Sequence, residues 1–239
     1  MKTVFHKADE RGHANHGWLN ARHSFSFADF YTPEKVHFGA LRVLNDDIVK
    51  GGGGFGMHPH KNMEIITIPL RGALEHKDST GGHGIISKND IQAMSAGTGV
   101  YHSEYNHSKN EEVNLLQIWI YPKKENIAPR YDQKTFSSES RQNKFETIVA
   151  PGDKKAMWIN QDAWLSLGDF SSEEEIKYTL HKEGNGVYAF IIEGSAEING
   201  TKLGKRDALG TWDINEISVK PNSGAEILLI EVPMIEATF

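Results

Sequence analysis

The sequence predicts an all-β protein built from two similar β-barrels. Helix signals are scarce, and most apolar segments are short, rich in β-branched and aromatic residues, and closed by glycine, proline or asparagine. Short strands at close spacing, with turn residues between them, are typical of a barrel or a sandwich. The predicted strands cover residues 38–44, 65–70, 85–87, 114–121, 188–193 and 225–232.

An internal repeat indicates that the chain has two related halves. Three short landmarks recur in the same order in both halves. They are IITIPLRGALEH (65–76) with VYAFIIEGSAEIN (187–199), KND (88–90) with KRD (205–207), and LLQIWIYP (115–122) with ILLIEVP (227–233). In the first pair, Gly72 and Gly194 stand at the same hairpin turn. The repeat therefore predicts a tandem duplication of one barrel.

The polar segment 125–143 separates the two halves. It contains Pro129 and has no periodic apolar face, so we interpret it as an interdomain linker with one helical turn. We accordingly expect a first domain over residues 1–130 and a second over residues 131–239.

Composition restricts the classes of function. The 239 residues include no cysteine, which excludes disulfides and thiolate metal sites and favours a cytoplasmic protein. The charged first residues do not resemble a secretory signal, and no apolar run is long enough for a membrane helix. A net charge of −6 disfavours nucleic acid as a partner. The chain has 12 histidines, most of them in the first half, so we expect the chemistry there.

Two histidines follow the glycine-rich segment GGGGFG (51–56) in the sequence MHPH. Side chains alternate along a strand, so His58 and His60 lie on one face, and an uninterrupted strand would bring Glu64 to the same face. Paired neutral imidazoles suit first-row transition metals. The glycines permit a sharp entry into the strand, and Pro59 fits an edge strand or the start of a strand.

A second pair, His102 and Glu104, has the same spacing and also follows a glycine-rich turn, AGTG (96–99). Two such pairs on neighbouring strands form a site with three histidines and one carboxylate. Such a site leaves coordination positions for water, substrate or dioxygen. The spacing alone does not decide whether Glu64 or Glu104 is the acidic ligand.

The other histidines are not predicted to be ligands, and His107 has the alternative of lining the mouth of the site. His76, His83 and His107 lie near turns and are predicted to be exposed to solvent. His181, in the second half, has no partner at the spacing of metal ligands.

These motifs resemble the cupin signature, which Gly52, His58, His60, Glu64 and Gly72 fill in its first part. The second part is matched by Gly97, His102 and Asn106. More narrowly, MHPHKNMEI and MSAGTGVYHSEYN resemble the pirin family, and RGHANHGWLNARHSFSFADFY with LRVLNDD resembles its bacterial members with quercetinase activity. The resemblance covers essentially the whole chain and implies a bicupin, two tandem cupin jelly-roll (double-stranded β-helix) barrels.

The resemblance also implies a ligand set. In pirin-like proteins the two histidines of HPH and the histidine and glutamate of HSE hold the metal, here His58, His60, His102 and Glu104. Glu64 is then placed behind the ligands, in contact with them rather than with the metal. The second barrel resembles a cupin that has lost its metal. Aligning the repeats on the hairpin glycines places Leu180, Lys182 and Gly186 where His58, His60 and Glu64 stand, and aligning them on KND and KRD places Val219 and Pro221 near the positions of His102 and Glu104.

The implied activity is that of a metal-dependent dioxygenase that opens a flavonol such as quercetin, with dioxygen as co-substrate and release of carbon monoxide. Glu104 is the best-placed base for the proton of the 3-hydroxyl group. Iron is the expected metal, with nickel, cobalt, copper, manganese and zinc as alternatives, since such ligands suit most of the first-row series. The alternative function is a non-enzymatic, metal-containing regulator that binds a protein partner in a redox-dependent way.

Overall fold

A computed structural model describes residues 1–235 of the chain, and it confirms the predicted all-β architecture. Twelve strands form in the part before residue 136: β1 (Lys2–His6), β2 (Gly12–Asn15), β3 (Leu19–His23), β4 (Leu41–Val49), β5 (Gly54–His60), β6 (Glu64–Arg71), β7 (Ala73–Asp78), β8 (His83–Ser87), β9 (Asp90–Ser95), β10 (Val100–Asn106), β11 (Val113–Ile120) and β12 (Arg130–Thr135).

Ten more strands follow in the described residues: β13 (Glu146–Ala150), β14 (Met157–Trp158), β15 (Trp164–Phe170), β16 (Ile176–Thr179), β17 (Asn185–Glu193), β18 (Ala196–Ile198), β19 (Thr201–Leu203), β20 (Ala208–Trp212), β21 (Glu216–Pro221) and β22 (Ala225–Pro233). The helices are short 3₁₀ turns at Ala8–Glu10, Pro33–Lys35 and Ser138–Arg141. Within residues 1–235 there is no helix with the length and apolar character needed to span a membrane.

Each half combines a seven-stranded and a four-stranded sheet. In the first half the strand orders are β12-β9-β6-β11-β4-β3-β2 and β5-β10-β7-β8. In the second half they are β1-β20-β17-β22-β15-β13-β14 and β16-β21-β18-β19. This matched pair of sheets in each half is the architecture expected of two tandem cupin barrels.

Local geometry confirms the internal repeat. Gly72 and Gly194 follow equivalent strands and have positive φ angles of 76° and 72°. At the KxD landmarks, the Asp90 carboxylate accepts a 2.9 Å hydrogen bond from the Ser87 amide, and Asp207 accepts one of the same length from Gly204. The two halves therefore share their turns as well as their order of strands.

The two seven-stranded sheets pack against each other through one apolar cluster. This cluster joins side chains of the first half, such as Phe25 and Leu116, to side chains of the second, such as Leu165 and Tyr188. A sheet that is apolar on one face must cover that face, and here each half covers the other. The largest core of the molecule is therefore the interface between the barrels.

Two strands cross the predicted division of the chain at residue 130. Strand β1 pairs with β20 of the second half over its whole length, from Lys2 with Trp212 to His6 with Ala208. Strand β12 pairs with β9 of the first half. The exact boundaries 1–130 and 131–239 stay a prediction.

The interpretation of residues 125–143 as a linker was wrong in part. The helical turn is present at Ser138–Arg141, but Arg130–Thr135 is a strand of the first barrel. Its sequence shows no apolar alternation. Backbone pairing with β9 holds the strand in the sheet, and the Tyr131 ring stacks on the buried His76 ring, with the ring centroids 4.6 Å apart.

The predicted strand at 38–44 begins later and ends later than expected. Gly39 adopts φ of 50°, which turns the chain, and Phe38 forms only an isolated bridge to Leu41. The strand then continues to Val49, and this extension carries two acidic side chains, Asp46 and Asp47, into the sheet.

Candidate metal centre

Two adjacent antiparallel strands bring the three predicted histidine ligands together. His58 on β5 lies directly opposite His102 on β10, and His60 pairs with Val100 two residues away. The ring centroids of His58 and His102 are 4.4 Å apart. The ring centroid of His60 lies 4.9 Å from that of His58 and 4.8 Å from that of His102. The candidate ligand atoms of all three lie within 4.8 Å of one another.

Gly54 and Gly52, which precede His58, are required for two different reasons. A Cβ atom on Gly54 would lie 2.5 Å from Tyr105 Cα and 2.6 Å from the carbonyl oxygen of Glu104, and Gly52 has a φ of 73°. A larger residue at position 54 would prevent β5 from approaching β10 this closely, and the positive φ of Gly52 favours glycine. Pro59 lies on an edge strand of the four-stranded sheet, as predicted.

His60 and His102 present neutral rings. Burial, followed by the charge of His58, lowers the pKa of His60 to about 4, and burial, followed by the neighbouring imidazoles, lowers that of His102 to about 2. His58 Nδ1 lies 2.7 Å from the carbonyl oxygen of Gly56. A carbonyl only accepts, so Nδ1 carries the proton and Nε2 keeps its lone pair for a metal.

Glu104 lies two residues beyond His102, past a β-bulge, and is 2% exposed. Its Oε2 accepts a 2.8 Å hydrogen bond from Gln117 Nε2, and its Oε1 a longer one, 3.4 Å, from Thr67 Oγ1. Burial raises the pKa of this carboxyl to about 7, against the effect of both hydrogen bonds. A nearby cation would lower it again.

The three histidines fit a divalent transition metal, and Glu104, whose ligand atoms group with those of His76 and His102, is the candidate fourth ligand. His102 Nε2 is buried and has no hydrogen-bond partner among the described residues, which is costly unless a ligand meets it. Three neutral imidazoles and one carboxylate are typical of first-row metals and leave positions for further ligands.

Glu64 lies elsewhere. The expected uninterrupted strand from His58 to Glu64 was wrong, because β5 ends at His60 and Asn62, with φ of 48°, turns the chain before β6 begins. Glu64 Oε2 accepts hydrogen bonds from Ser95 Oγ at 2.7 Å and from the Asn160 amide at 3.2 Å. Burial raises its pKa to about 7. Its predicted place behind the metal ligands stays a prediction.

His76 was wrongly predicted to be exposed. It is fully buried on β7, directly opposite Glu104 on β10, and it forms a second cluster with His102 and Glu104 whose candidate ligand atoms lie within 4.8 Å of one another. The sequence carries one signal that could have found it, the i, i+2 spacing of His76 and Asp78. The side chains of His83 and His107 are 57% and 49% exposed, as predicted.

A cavity of about 420 Å³ opens beside the histidines. Its walls combine aromatic rings with a few polar groups. The lining residues are Trp18, Phe27, Asn45, Asp47, Gly54, Phe55, Gly56, His58, His60, Glu104, Gln117 and Trp119. This size and this mixture are typical of a site for a small organic molecule.

The second barrel is filled instead. A single apolar cluster that includes Val187, Ile198 and Val219 occupies its interior. Both metal-competent clusters among residues 1–235 lie in the first half. His181 bonds to Glu231 at 2.9 Å and stacks on Trp164, which gives it a structural role.

Comparisons with known proteins agree with this architecture. The sequence model of the Pirin family matches residues 4–120, and that of the quercetinase C-terminal cupin domain matches residues 147–232. The chain is 42% identical to quercetin 2,3-dioxygenase of Escherichia coli K12, over 96% of this chain and 98% of that protein. It is 40% identical to a pirin-like protein of Caulobacter vibrioides, over 93% and 96% of the two chains.

Solved structures give the same result. The crystal structure of the bacterial pirin YhhW from Escherichia coli in complex with nickel(II) superposes with a TM-score of 0.92 at 40% identity. The match covers 98% of this chain and 100% of that chain. With both barrels matched in sequence and in structure, this chain belongs to the pirin family of two-domain cupins.

Proposed function

We propose that the protein is a metal-dependent dioxygenase that opens the ring of a flavonol such as quercetin. The observation that carries the proposal is the cavity of about 420 Å³, which His58, His60 and Glu104 line together with aromatic side chains. Relatives named quercetin 2,3-dioxygenase, which match over almost their whole length, support the same reaction. His58, His60, His102 and Glu104 are the proposed metal ligands.

The cavity suits a flat, hydroxylated aromatic molecule. Trp18 and Phe55 pack edge to face at 5.2 Å, and Phe27 and Trp119 do so at 5.4 Å, so two aromatic pairs can contact the substrate rings. Trp119 Nε1 and Asp47 Oδ1 have no hydrogen-bond partner among the described residues. We assign both to substrate oxygens.

Glu104 is the proposed base. Its Oε2 is held by Gln117, and Oε1, which has only the 3.4 Å contact to Thr67, takes the proton of the substrate's 3-hydroxyl group. Burial raises the pKa of Glu104 to about 7 without a metal, and a bound cation would lower it, so the carboxyl is ionised and able to accept that proton. A divalent ion, when bound, supplies Lewis-acid chemistry that makes a neighbouring hydroxyl group more acidic.

The identity of the metal stays a prediction. Iron is expected from the resemblance to pirins, and the Escherichia coli relative was crystallised with nickel(II). Nitrogen and oxygen donors accept both ions.

The test is flavonol turnover with the metal content known. Protein loaded separately with iron, nickel, cobalt, copper or manganese is assayed under air for quercetin loss and carbon monoxide release. We expect both from wild type, in one-to-one ratio, and neither above buffer from His58→Ala. His83→Ala, which changes an exposed histidine, serves as the matched control and should keep wild-type turnover.

Two results contradict the proposal. If wild-type protein is fully loaded with each metal in turn and never consumes quercetin faster than buffer does, the protein is not this dioxygenase. If His58→Ala retains wild-type turnover, the assignment of the site is wrong.

One observation favours the regulator as a second candidate. Met57, Tyr101 and Tyr105 are exposed on β5 and β10 and alternate with the proposed ligands, so changes at the metal can reach an apolar surface. A regulator of this kind binds its partner with an affinity that changes with the metal's redox state and shows no turnover of flavonols. The same assay therefore separates the two functions.

A further inference from the structure

A pair of buried polar side chains on β7 lies behind the proposed metal ligand His102. The side chains of His76 and Asp78 are 0% and 1% exposed, and His76 Nε2 lies 2.9 Å from Asp78 Oδ2. On its other side, His76 Nδ1 lies 3.5 Å from His102 Nδ1. The three side chains form a continuous series that ends at His102 Nε2, which has no partner among the described residues.

Asp78 is held in its ionised form. Its Oδ1 accepts hydrogen bonds from the Thr80 amide at 2.7 Å, from Thr80 Oγ1 at 2.7 Å and from the Gly82 amide at 3.0 Å. Burial alone would raise the pKa of Asp78, but the bonds from His76, Thr80 and Gly82 outweigh it and lower the pKa to about 2. A carboxylate in this state only accepts hydrogen bonds.

The hydrogen positions follow from Asp78. Because its Oδ2 only accepts, the proton of His76 is on Nε2, and His76 Nδ1 keeps a lone pair. His102 Nδ1 must then carry the proton that bonds to His76, and His102 Nε2 keeps the lone pair. The opposite arrangement, with the proton of His102 on Nε2, would bury an N–H group that has no acceptor among the described residues.

We propose that Asp78 and His76 are positioning residues that fix the tautomer of His102, so that Nε2 is the atom offered to the metal. The inference rests on the proposed ligation by His102 and adds two residues to the site. His58 reaches the same tautomer through the carbonyl oxygen of Gly56. Different partners therefore fix the tautomers of His58 and His102, which lie on neighbouring strands.

His76 itself is not a ligand in this arrangement. Both of its ring nitrogens are engaged, one with Asp78 and one with His102, so no lone pair is left for a metal. Tyr131 on β12 stacks on the His76 ring with the planes 25° apart and holds it in place. Its cluster with His102 and Glu104 thus serves to orient His102.

Asp78→Asn is the informative substitution, because it reverses the direction of the hydrogen bonds from residue 78 to His102 and keeps the shape of the side chain. Three donors converge on Oδ1, so the amide oxygen of the variant must remain there and the amide nitrogen must replace Oδ2. That nitrogen donates to His76 Nε2, which moves the His76 proton to Nδ1. His102 Nδ1 then has to accept, and its own proton moves to Nε2, the atom that faces the metal.

Two readouts test the proposal. Long-range ¹H–¹⁵N spectra of metal-free protein, with His102 assigned through a His102→Asn sample, should show Nε2 unprotonated in wild type and protonated in Asp78→Asn. Affinity for nickel(II), measured by chelator competition, should fall about 10–100-fold in Asp78→Asn, the usual effect of losing an outer hydrogen-bond partner. Thr80→Ala keeps the carboxylate and the Thr80 amide, and its nickel affinity should stay within about 3-fold of wild type.

The spectra decide the inference independently of the metal. A wild-type spectrum with His102 Nε2 protonated overturns it, whether or not Asp78→Asn folds. Unchanged nickel affinity in a folded Asp78→Asn protein overturns it as well. If wild type binds no nickel but His102 has the expected tautomer, the proposed metal site is wrong and the tautomer assignment holds.

Discussion

Asp47 carries a buried carboxyl group on the wall of the cavity. It is 4% exposed, and its Oδ1 has no hydrogen-bond partner among the described residues. Burial, followed by the charges of Asp46 and Glu104, raises its pKa to about 8. The group is therefore protonated near neutral pH and can donate to a substrate oxygen, which an ionised carboxylate cannot do.

The raised pKa makes stability depend on pH at this residue. The folded protein holds the Asp47 proton more tightly than the unfolded chain, so the contribution to stability is complete below pH 3.8 and is lost as the pH rises through about 8. Asp47→Asn removes this dependence. Relative to wild type, its free energy of unfolding should increase from pH 5 to pH 8, by at most about 1.4 kcal/mol per pH unit.

Urea unfolding of metal-free protein at several pH values measures this difference. Asp29→Asn, which changes an exposed aspartate, is the control and should give a difference that does not vary with pH. A flat profile for Asp47→Asn as well would mean that Asp47 is ionised in the folded protein.

At the scale of strands, the site depends on how closely β5 approaches β10. The register places His58 opposite His102, and Gly54 opposes Tyr105 near the bulge that precedes Glu104. A methyl group on Gly54 has to displace backbone atoms 2.5 and 2.6 Å away, whereas the nearest atom to a Cβ on Gly56 is Tyr105 Oη at 3.7 Å.

Gly54→Ala should therefore separate the two strands. We expect it to lower the free energy of unfolding by about 1–3 kcal/mol, as overpacking does, and to weaken metal binding because His58 moves away from His102. Gly56→Ala, two residues along the same strand, should change neither quantity appreciably. Thermal unfolding and metal titration of both variants measure these effects, and equal behaviour of the two would refute the role of the close contact.

The strands also explain what the sequence could predict and what it could not. His58 and His60, like His102, were predictable because alternation along one strand is a local property. His76 was missed because its burial depends on the register between β7 and β10, which joins distant segments. The position of Glu64 relative to His60 was mispredicted because a turn at Asn62 interrupts the alternation.

At the scale of the whole molecule, the two barrels share their largest core. Phe25 is 1% exposed, and its ring lies 5.4 Å from that of Tyr188 in the second half. Strand β1 connects the barrels as well, because it precedes the first barrel in the chain but pairs with β20 in the sheet of the second barrel. The tandem repeat was predictable from short sequence landmarks. The pairing of β1 with the second barrel was not, since β1 has no distinctive sequence pattern.

The shared core predicts that both halves unfold together. Phe25→Ala should lower the free energy of unfolding by about 3–5 kcal/mol and preserve a single transition. Tyr31→Ala, at a position 73% exposed in the same segment, is the control and should change it by less than about 0.5 kcal/mol. Calorimetry would contradict this account if it resolved two transitions and only one of them moved in Phe25→Ala.

The most direct test of the metal centre is a crystal structure of the protein grown with a divalent metal, with anomalous data on both sides of the metal's absorption edge. We predict one strong peak, about 2.0–2.2 Å from Nε2 of His58, His60 and His102 and from a carboxylate oxygen of Glu104. A peak coordinated by Glu64 or His76 in place of Glu104, or by fewer than these three histidines, would contradict the account.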